Sequence, residues 1–346
     1  MNRRHFFRQA AGAASITTLP LTMVELAFAQ PADNFSFAYI SDAHLQQVKG
    51  TEFVHHWDRG LRNAIDETNL LGAKPDFVVF GGDLAQSGTR AELDHGAELL
   101  ARLNAKIYHV IGEHDYYHDL GENWSRLFGA QYYSFDHKGV HFVVLNSILT
   151  DHDWTHRRWS TAAQRMQAIT GLSNPDSSPF MVGDSQRAWL ARDLAAVAHR
   201  TPVVVFSHAP LQKIHQSWNF WTEDAEQVQQ LLAPFDKSTV VYGHVHQVQY
   251  NRIGNTSFHS VTATSWPWPY PQAASGAQAM LPKLTVPMNR SGGALERDTT
   301  GWQILDLSNG NVAMNYKLDG ARSRNVAIHR RSGAVRDSEK LVAMVA

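Results

Sequence analysis

Five short stretches of this chain end in side chains that bind metal ions or move protons. They are Asp42-Ala43-His44, Gly81-Gly82-Asp83, Gly112-Glu113-His114-Asp115, Ser207-His208 and Gly243-His244-Val245-His246. Carboxylates and neutral imidazoles suit hard and borderline cations. Two cations that share one carboxylate make a hydrolytic site. The chain has no cysteine, which excludes thiolate metal sites, disulfides and cysteine nucleophiles. A count of 19 histidines fits a metal-handling protein, although most need not be ligands.

Each stretch follows an apolar, strand-like run, at 35–40, 77–80, 106–111, 202–206 and 239–242. Strand ends along one edge of an α/β sheet converge in space. In an extended segment, side chains at i and i+2 point the same way. Asp42 with His44, and His244 with His246, are therefore expected to reach one locus without a special backbone conformation. Two glycines before Asp83 allow a tight turn there. Helical spacing of apolar residues predicts helices over 53–71, 91–103, 184–199 and 225–232. The early βαβαβ order implies parallel strands with right-handed crossovers. Hairpins are expected at 132–135 with 140–145, and at 302–307 with 312–318 around Asn309-Gly310.

The chain has 346 residues, 43% apolar and 18% charged, which describes a folded globular protein. A formal net charge of −1 provides no basic field for long nucleic acids. At the N-terminus, Arg3-Arg4 precedes a mildly apolar run and then Ala27-Phe28-Ala29, a small-x-small cleavage pattern. This resembles a bacterial twin-arginine signal peptide over residues 1–29. It predicts recognition by the twin-arginine export machinery and a periplasmic or secreted mature protein. No other segment approaches membrane-spanning length, so no stable membrane insertion is expected.

The ordered set D-x-H, G-D-x-x, G-x-H-D, a strand-end His and G-H-x-H resembles the calcineurin-like metallophosphoesterase family. That family includes purple acid phosphatases and bacterial cyclic-nucleotide phosphodiesterases. The resemblance covers about residues 35–265. It implies an α/β fold, a four-layer α/β/β/α sandwich of two mixed sheets flanked by helices, with the phosphoesterase domain over 30–319. It also implies two metal ions (Fe, Mn or Zn) and hydrolysis of a small phosphoester by metal-activated hydroxide. Asp42, His44, Asp83 and His246 would hold the first ion. Asp83, His208 and His244 would hold the second, with Asp83 shared and Glu113 at the position of the family's Asn. His114 would serve the leaving group, with Asp115 holding its ring.

Two departures from the pattern stand out. Glu113 replaces an Asn and so brings an acceptor-only, negatively charged group. Either it faces the metals, which disfavours doubly charged monoesters and implies a preference for diesters, or it swings outward and weakens the second site. A phosphomonoesterase, and a metal-binding or sensory domain without catalysis, remain alternatives. Gln86 stands where Asp or Asn is usual and is expected at most to hydrogen-bond within the site. Trp218, Phe220, Trp221, Trp266, Trp268 and Tyr270 flank the histidine motifs and either line a pocket or pack loops over the sheet. Asp151, His152, Asp153 and His156 read as a solvated polar face. Regions 149–183 and 266–300 lack regular patterns and are either a roof over the site or surface insertions. Residues 320–346 are expected as a tail.

Overall fold

A computed structural model of the protein describes residues 33–47, 53, 55–151, 155, 157–169, 179–268, 289–290, 300–318, 324–328 and 335–337. The signal segment, Tyr270, His152, Asp153, His156 and most of 266–300 lie outside these residues.

Sixteen strands are found among the described residues, and fourteen of them build two sheets. The first contains β1 (Phe35–Ile40), β2 (Val78–Phe80), β3 (Ile107–His109), β13 (Gly301–Ser308), β14 (Asn311–Leu318), β15 (Arg324–Ile328) and β16 (Val335–Asp337). Its order is β16-β15-β14-β13-β1-β2-β3. The second contains β4 (Tyr133–His137), β5 (Val140–Val144), β6 (Val203–Ser207), β9 (Ser238–Tyr242), β10 (Gln249–Ile253), β11 (Thr256–Ser260) and β12 (Asn289–Arg290). Its order is β12-β10-β11-β9-β6-β5-β4. The remaining pair, β7 (Lys213–His215) and β8 (Phe220–Trp221), forms a separate small hairpin.

Strands β1, β2 and β3 pair in parallel, as do β5, β6, β9 and β11. Both expected hairpins form, β4 with β5 and β13 with β14. Strand β13 then returns to pair antiparallel with β1, so each sheet is mixed. Within the expected tail, β15 and β16 extend the first sheet beyond β14.

The two sheets pack face to face through an aromatic and β-branched core. Phe37 stacks on Phe77 with ring centroids 4.7 Å apart, and Phe206 meets Phe37 edge-on at 5.6 Å. Burying each such side chain contributes roughly 1.5–3 kcal/mol. Helices α1 (His55–Leu70), α2 (Arg90–Leu100) and α4 (Glu122–Phe128) cover the outer face of the first sheet with Leu61, Ile65, Leu93 and Trp124. A short α3 (Glu113–Tyr116) precedes α4. Helices α6 (Asp184–Ala195) and α7 (Ala225–Leu232) cover the second sheet with Leu190, Leu194, Val228 and Leu232. The result is the four-layer sandwich expected. In region 149–183, α5 (Ala162–Ile169) forms, and Leu149 bridges to Met181. Among the described residues no helix is long and apolar enough to cross a membrane.

Helix α2 also braces the turns that carry the ligands. Thr89 and Glu92 form a reciprocal capping box at its start. Buried Glu92 then accepts from the amides of Gln47, at 3.1 Å, and Ser87, at 2.9 Å. One carboxylate therefore anchors the segments that follow both β1 and β2.

Candidate metal centre

The ligand stretches do converge, but through a different backbone from the one expected. Asp42, His44, Asp83, His244 and His246 all have positive φ, between 44° and 62°. The pairs Asp42/His44 and His244/His246 are therefore not simple extensions of their strands. Left-handed conformations cost non-glycine residues of order 1–3 kcal/mol each and persist only where the surroundings over-determine them. Here the backbone is zipped across the two turns. The Asp42 amide donates to the Gly82 carbonyl, and the His44 amide to the Asp83 carbonyl, both at 2.9 Å. Gly112 sits so close that a Cβ there would collide with the Asp83 carboxylate and amide. Gly82, at φ 102°, makes the turn into Asp83.

Seven of the expected ligands come together, all at least nine-tenths buried. Asp83, Glu113, His208 and His244 form one group whose ligand atoms lie within 4.8 Å of one another; Asp42, His44 and His246 form a second. A third combination, His44, Asp83 and His114, meets the same test. The His114 amide donates to Asp83 Oδ1 at 3.0 Å. That leaves Oδ2 between the groups, 3.6 Å from His44 Nε2 and 3.2 Å from His208 Nε2.

The hydrogen bonds behind the imidazoles show what the front atoms carry. His208 Nδ1 lies 2.8 Å from the Gly81 carbonyl, and His246 Nδ1 lies 2.7 Å from the Trp266 carbonyl. A carbonyl only accepts, so each Nδ1 is the donor. His44 Nδ1 likewise donates to Gln86 Oε1 at 3.1 Å. In the neutral rings every Nε2 is then a bare lone pair. Yet His44 Nε2 and His246 Nε2 face each other at 3.2 Å, and His246 Nε2 is 3.1 Å from Asp42 Oδ1. His208 Nε2 faces Glu113 Oε2 at 3.0 Å. Asp42 Oδ2, Glu113 Oε2, His208 Nε2 and His244 Nε2 are buried without an aligned hydrogen-bond partner. Such orphans are costly unless a cation meets them. The donor set therefore fits metal ions, with the far ring nitrogens held as metal-binding histidines require.

The buried ligands strongly perturb one another's protonation. Burial, then the neighbouring His114 and His246, push His44 well below the usual imidazole range. Burial also opposes charge on His208, but Asp83 and Glu113 outweigh it and hold that ring well above its usual range. Burial would raise Glu113 as well, yet His244 and His208 hold it well below the usual carboxylate range.

Glu113 faces inward. Its Oε1 is 2.7 Å from His244 Nδ1. The role given to Asp115 needs correction. Its carboxylate accepts from the backbone amides of Ala85, at 3.0 Å, and Gly112, at 3.2 Å, and so fixes the loop. The His114 ring is instead held through Nδ1 on the Gln86 carbonyl at 2.6 Å. Gln86, expected at most to hydrogen-bond within the site, does so twice. Its side chain orients His44 and its main chain orients His114, a double duty that its place three residues after Asp83 makes possible.

A cavity of about 170 Å3 opens over the ligands. Trp218, Trp266 and Trp268 form part of its wall together with Asn219 and Ile169. Phe220 is core, behind His244, and Trp221 does not line the cavity. The aromatics thus divide between the two roles expected.

Comparison with known proteins agrees with this geometry. The calcineurin-like phosphoesterase family profile matches residues 35–248. A probable glycerophosphodiester phosphodiesterase from Arcobacter nitrofigilis is 27% identical over 217 residues, 60% of this chain and 71% of that protein. A cAMP/cGMP dual specificity phosphodiesterase from Mycobacterium tuberculosis is 24% identical over 231 residues, 62% of this chain and 63% of that protein. A dimetal phosphatase from Danio rerio shares the fold at a TM-score of 0.55 and 17% identity, over 86% of this chain and 99% of that one. A purple acid phosphatase from yellow lupin seeds follows at 0.52 and 16%, over 88% of this chain and 53% of that one. The chain belongs to the calcineurin-like phosphoesterase family and is a metal-dependent phosphoester hydrolase.

Proposed function

We propose that this protein hydrolyses small phosphodiesters at a dinuclear metal centre, in preference to monoesters, after export from the cytoplasm. The observation that carries the diester reading is the inward, buried carboxylate of Glu113 between His208 and His244. It adds a negative charge where the family pattern has a neutral amide. A monoester brings up to two negative charges and a diester one. Each added unit of charge about 4 Å from Glu113 costs about 4 kcal/mol at an effective dielectric constant near 20, before cations reduce it. The two phosphodiesterase relatives support the same reading.

Bound cations supply Lewis acidity, which neutralises the phosphoryl oxygens and acidifies water. The protein does the rest. Asp42, His44 and His246 would hold one ion, Glu113, His208 and His244 the other, and Asp83 would be common to both. The Gln86 carbonyl holds His114 by Nδ1, so Nε2 is the atom from which a proton can reach the departing alkoxide.

Glu113→Asn tests the charge argument. The ratio of kcat/KM for a monoester to that for a diester should rise by about tenfold or more. A ratio that does not move removes the diester reading. The export part rests on Arg3-Arg4 and the Ala27-Phe28-Ala29 pattern. Replacing both arginines by lysine should trap the precursor in the cytoplasm, and undiminished export would remove that part.

A further inference from the structure

The cavity wall contains one polar side chain that the metal chemistry does not use. Asn219 is 6% exposed, lines the cavity, and has no hydrogen-bond partner for either Oδ1 or Nδ2. A buried carboxamide with both ends unsatisfied is rare in a folded protein. It is also awkwardly placed. Asn219 closes a 3-10 turn over Gln216–Trp218 with φ 54° and ψ 22°, its amide donating to the Gln216 carbonyl at 2.9 Å. Asparagine enters this left-handed region more readily than most residues, but glycine would do so at less cost. The turn alone does not explain a side chain here.

Its neighbours are flat and apolar. Trp218 lies 6.4 Å from Trp268 between ring centroids, and Trp266 stands 4.4 Å from the His44 ring. Indole faces favour a planar partner. A carboxamide offers one donor and one acceptor side by side, and it pairs in a bidentate way with a heteroaromatic edge that presents the complementary pair, as Asn does with adenine. A simple alkyl or phenyl group would leave both ends of Asn219 unmet, and a polyol would gain little from the indoles.

Resting on the diester reading of the metal centre, we infer that Asn219 is a specificity residue that reads the base edge of a nucleoside diester whose ring lies against the tryptophan wall. The phosphoryl group then reaches the ligands at the cavity floor, and the base points toward β7 and β8. Asn219 touches no metal ligand through a hydrogen bond, so its contribution falls on recognition and not on the hydrolytic step.

The test compares wild type with Asn219→Gly in the metal-loaded enzyme. Glycine keeps the left-handed turn and removes only the carboxamide. Three diesters serve as probes: a p-nitrophenyl ester of adenosine monophosphate, bis(p-nitrophenyl) phosphate and glycerophosphoethanolamine. The variant should lose about 5- to 150-fold in kcat/KM on the adenosine diester, mostly through KM. Bis(p-nitrophenyl) phosphate should change less than about twofold. Trp218→Leu should raise KM for both aromatic diesters and spare glycerophosphoethanolamine. Equal losses on all three diesters from Asn219→Gly, or no loss on the adenosine diester, would overturn the assignment of Asn219. So would a wild-type enzyme that hydrolyses the generic diester but not the adenosine one. Wild type inactive on every diester would instead remove the diester reading itself, and this inference with it.

Discussion

The two halves of the candidate metal centre are built differently. In the half formed by Asp42, His44 and His246, both imidazoles are pinned from behind, by Gln86 Oε1 and the Trp266 carbonyl. Their front atoms are pre-aimed before any ion arrives. In the half formed by Glu113, His208 and His244, only His208 is pinned, by the Gly81 carbonyl. His244 turns Nδ1 to Glu113 and leaves Nε2 buried without a partner. Neutral acceptors hold both imidazoles of the first half from behind, whereas in the second half the Glu113 carboxylate takes that place for His244. On the proposed reading, geometry would govern metal affinity in the first half, whereas the charge of Glu113 would tune the second and bear on the substrate.

The largest expected effect comes from His114, which sits with His44 and Asp83 in a third possible ligand set. If its work is on the leaving group, His114→Ala should lower kcat by about 10²–10⁴-fold for an alkyl ester while leaving the metal content intact. A p-nitrophenyl ester, whose leaving group needs no proton, should lose far less. Loss of an ion in this variant would place His114 among the ligands and blur the division between the halves.

A smaller effect is expected from Gln86→Ala. Removing the carboxamide frees His44 but leaves the main-chain hold on His114. Metal affinity or activity should fall about 10–100-fold, with the loss confined to one ion per chain in a metal titration. Equal weakening of both ions would contradict the independence of the halves.

Much of this centre was legible in the sequence. The motifs sit at strand ends, and a strand end is recognisable from the apolar run before it. What was not legible is the backbone that carries them. An i, i+2 spacing looks the same whether the chain is extended or left-handed, so the positive φ at Asp42, His44, His244 and His246 left no mark on the residue pattern. Asp115 was misread for a related reason. Its position beside His114 suggested a side-chain partner, whereas the loop turns it toward the amides of Ala85 and Gly112. The sheet neighbours were hidden by distance. Strand β13 docks on β1 across more than 260 residues, and only the assembled core decides that. The inward aim of Glu113 was equally a matter of packing against His208 and His244, which lie far along the chain.

Metal counting in crystals of the native enzyme, by anomalous scattering at the relevant absorption edges, tests the shared-carboxylate centre most directly. Two ions about 3.5–4 Å apart are expected, with Asp83 between them and Glu113 on the one beside His208 and His244. A single ion, or a pair that does not share Asp83, would contradict it.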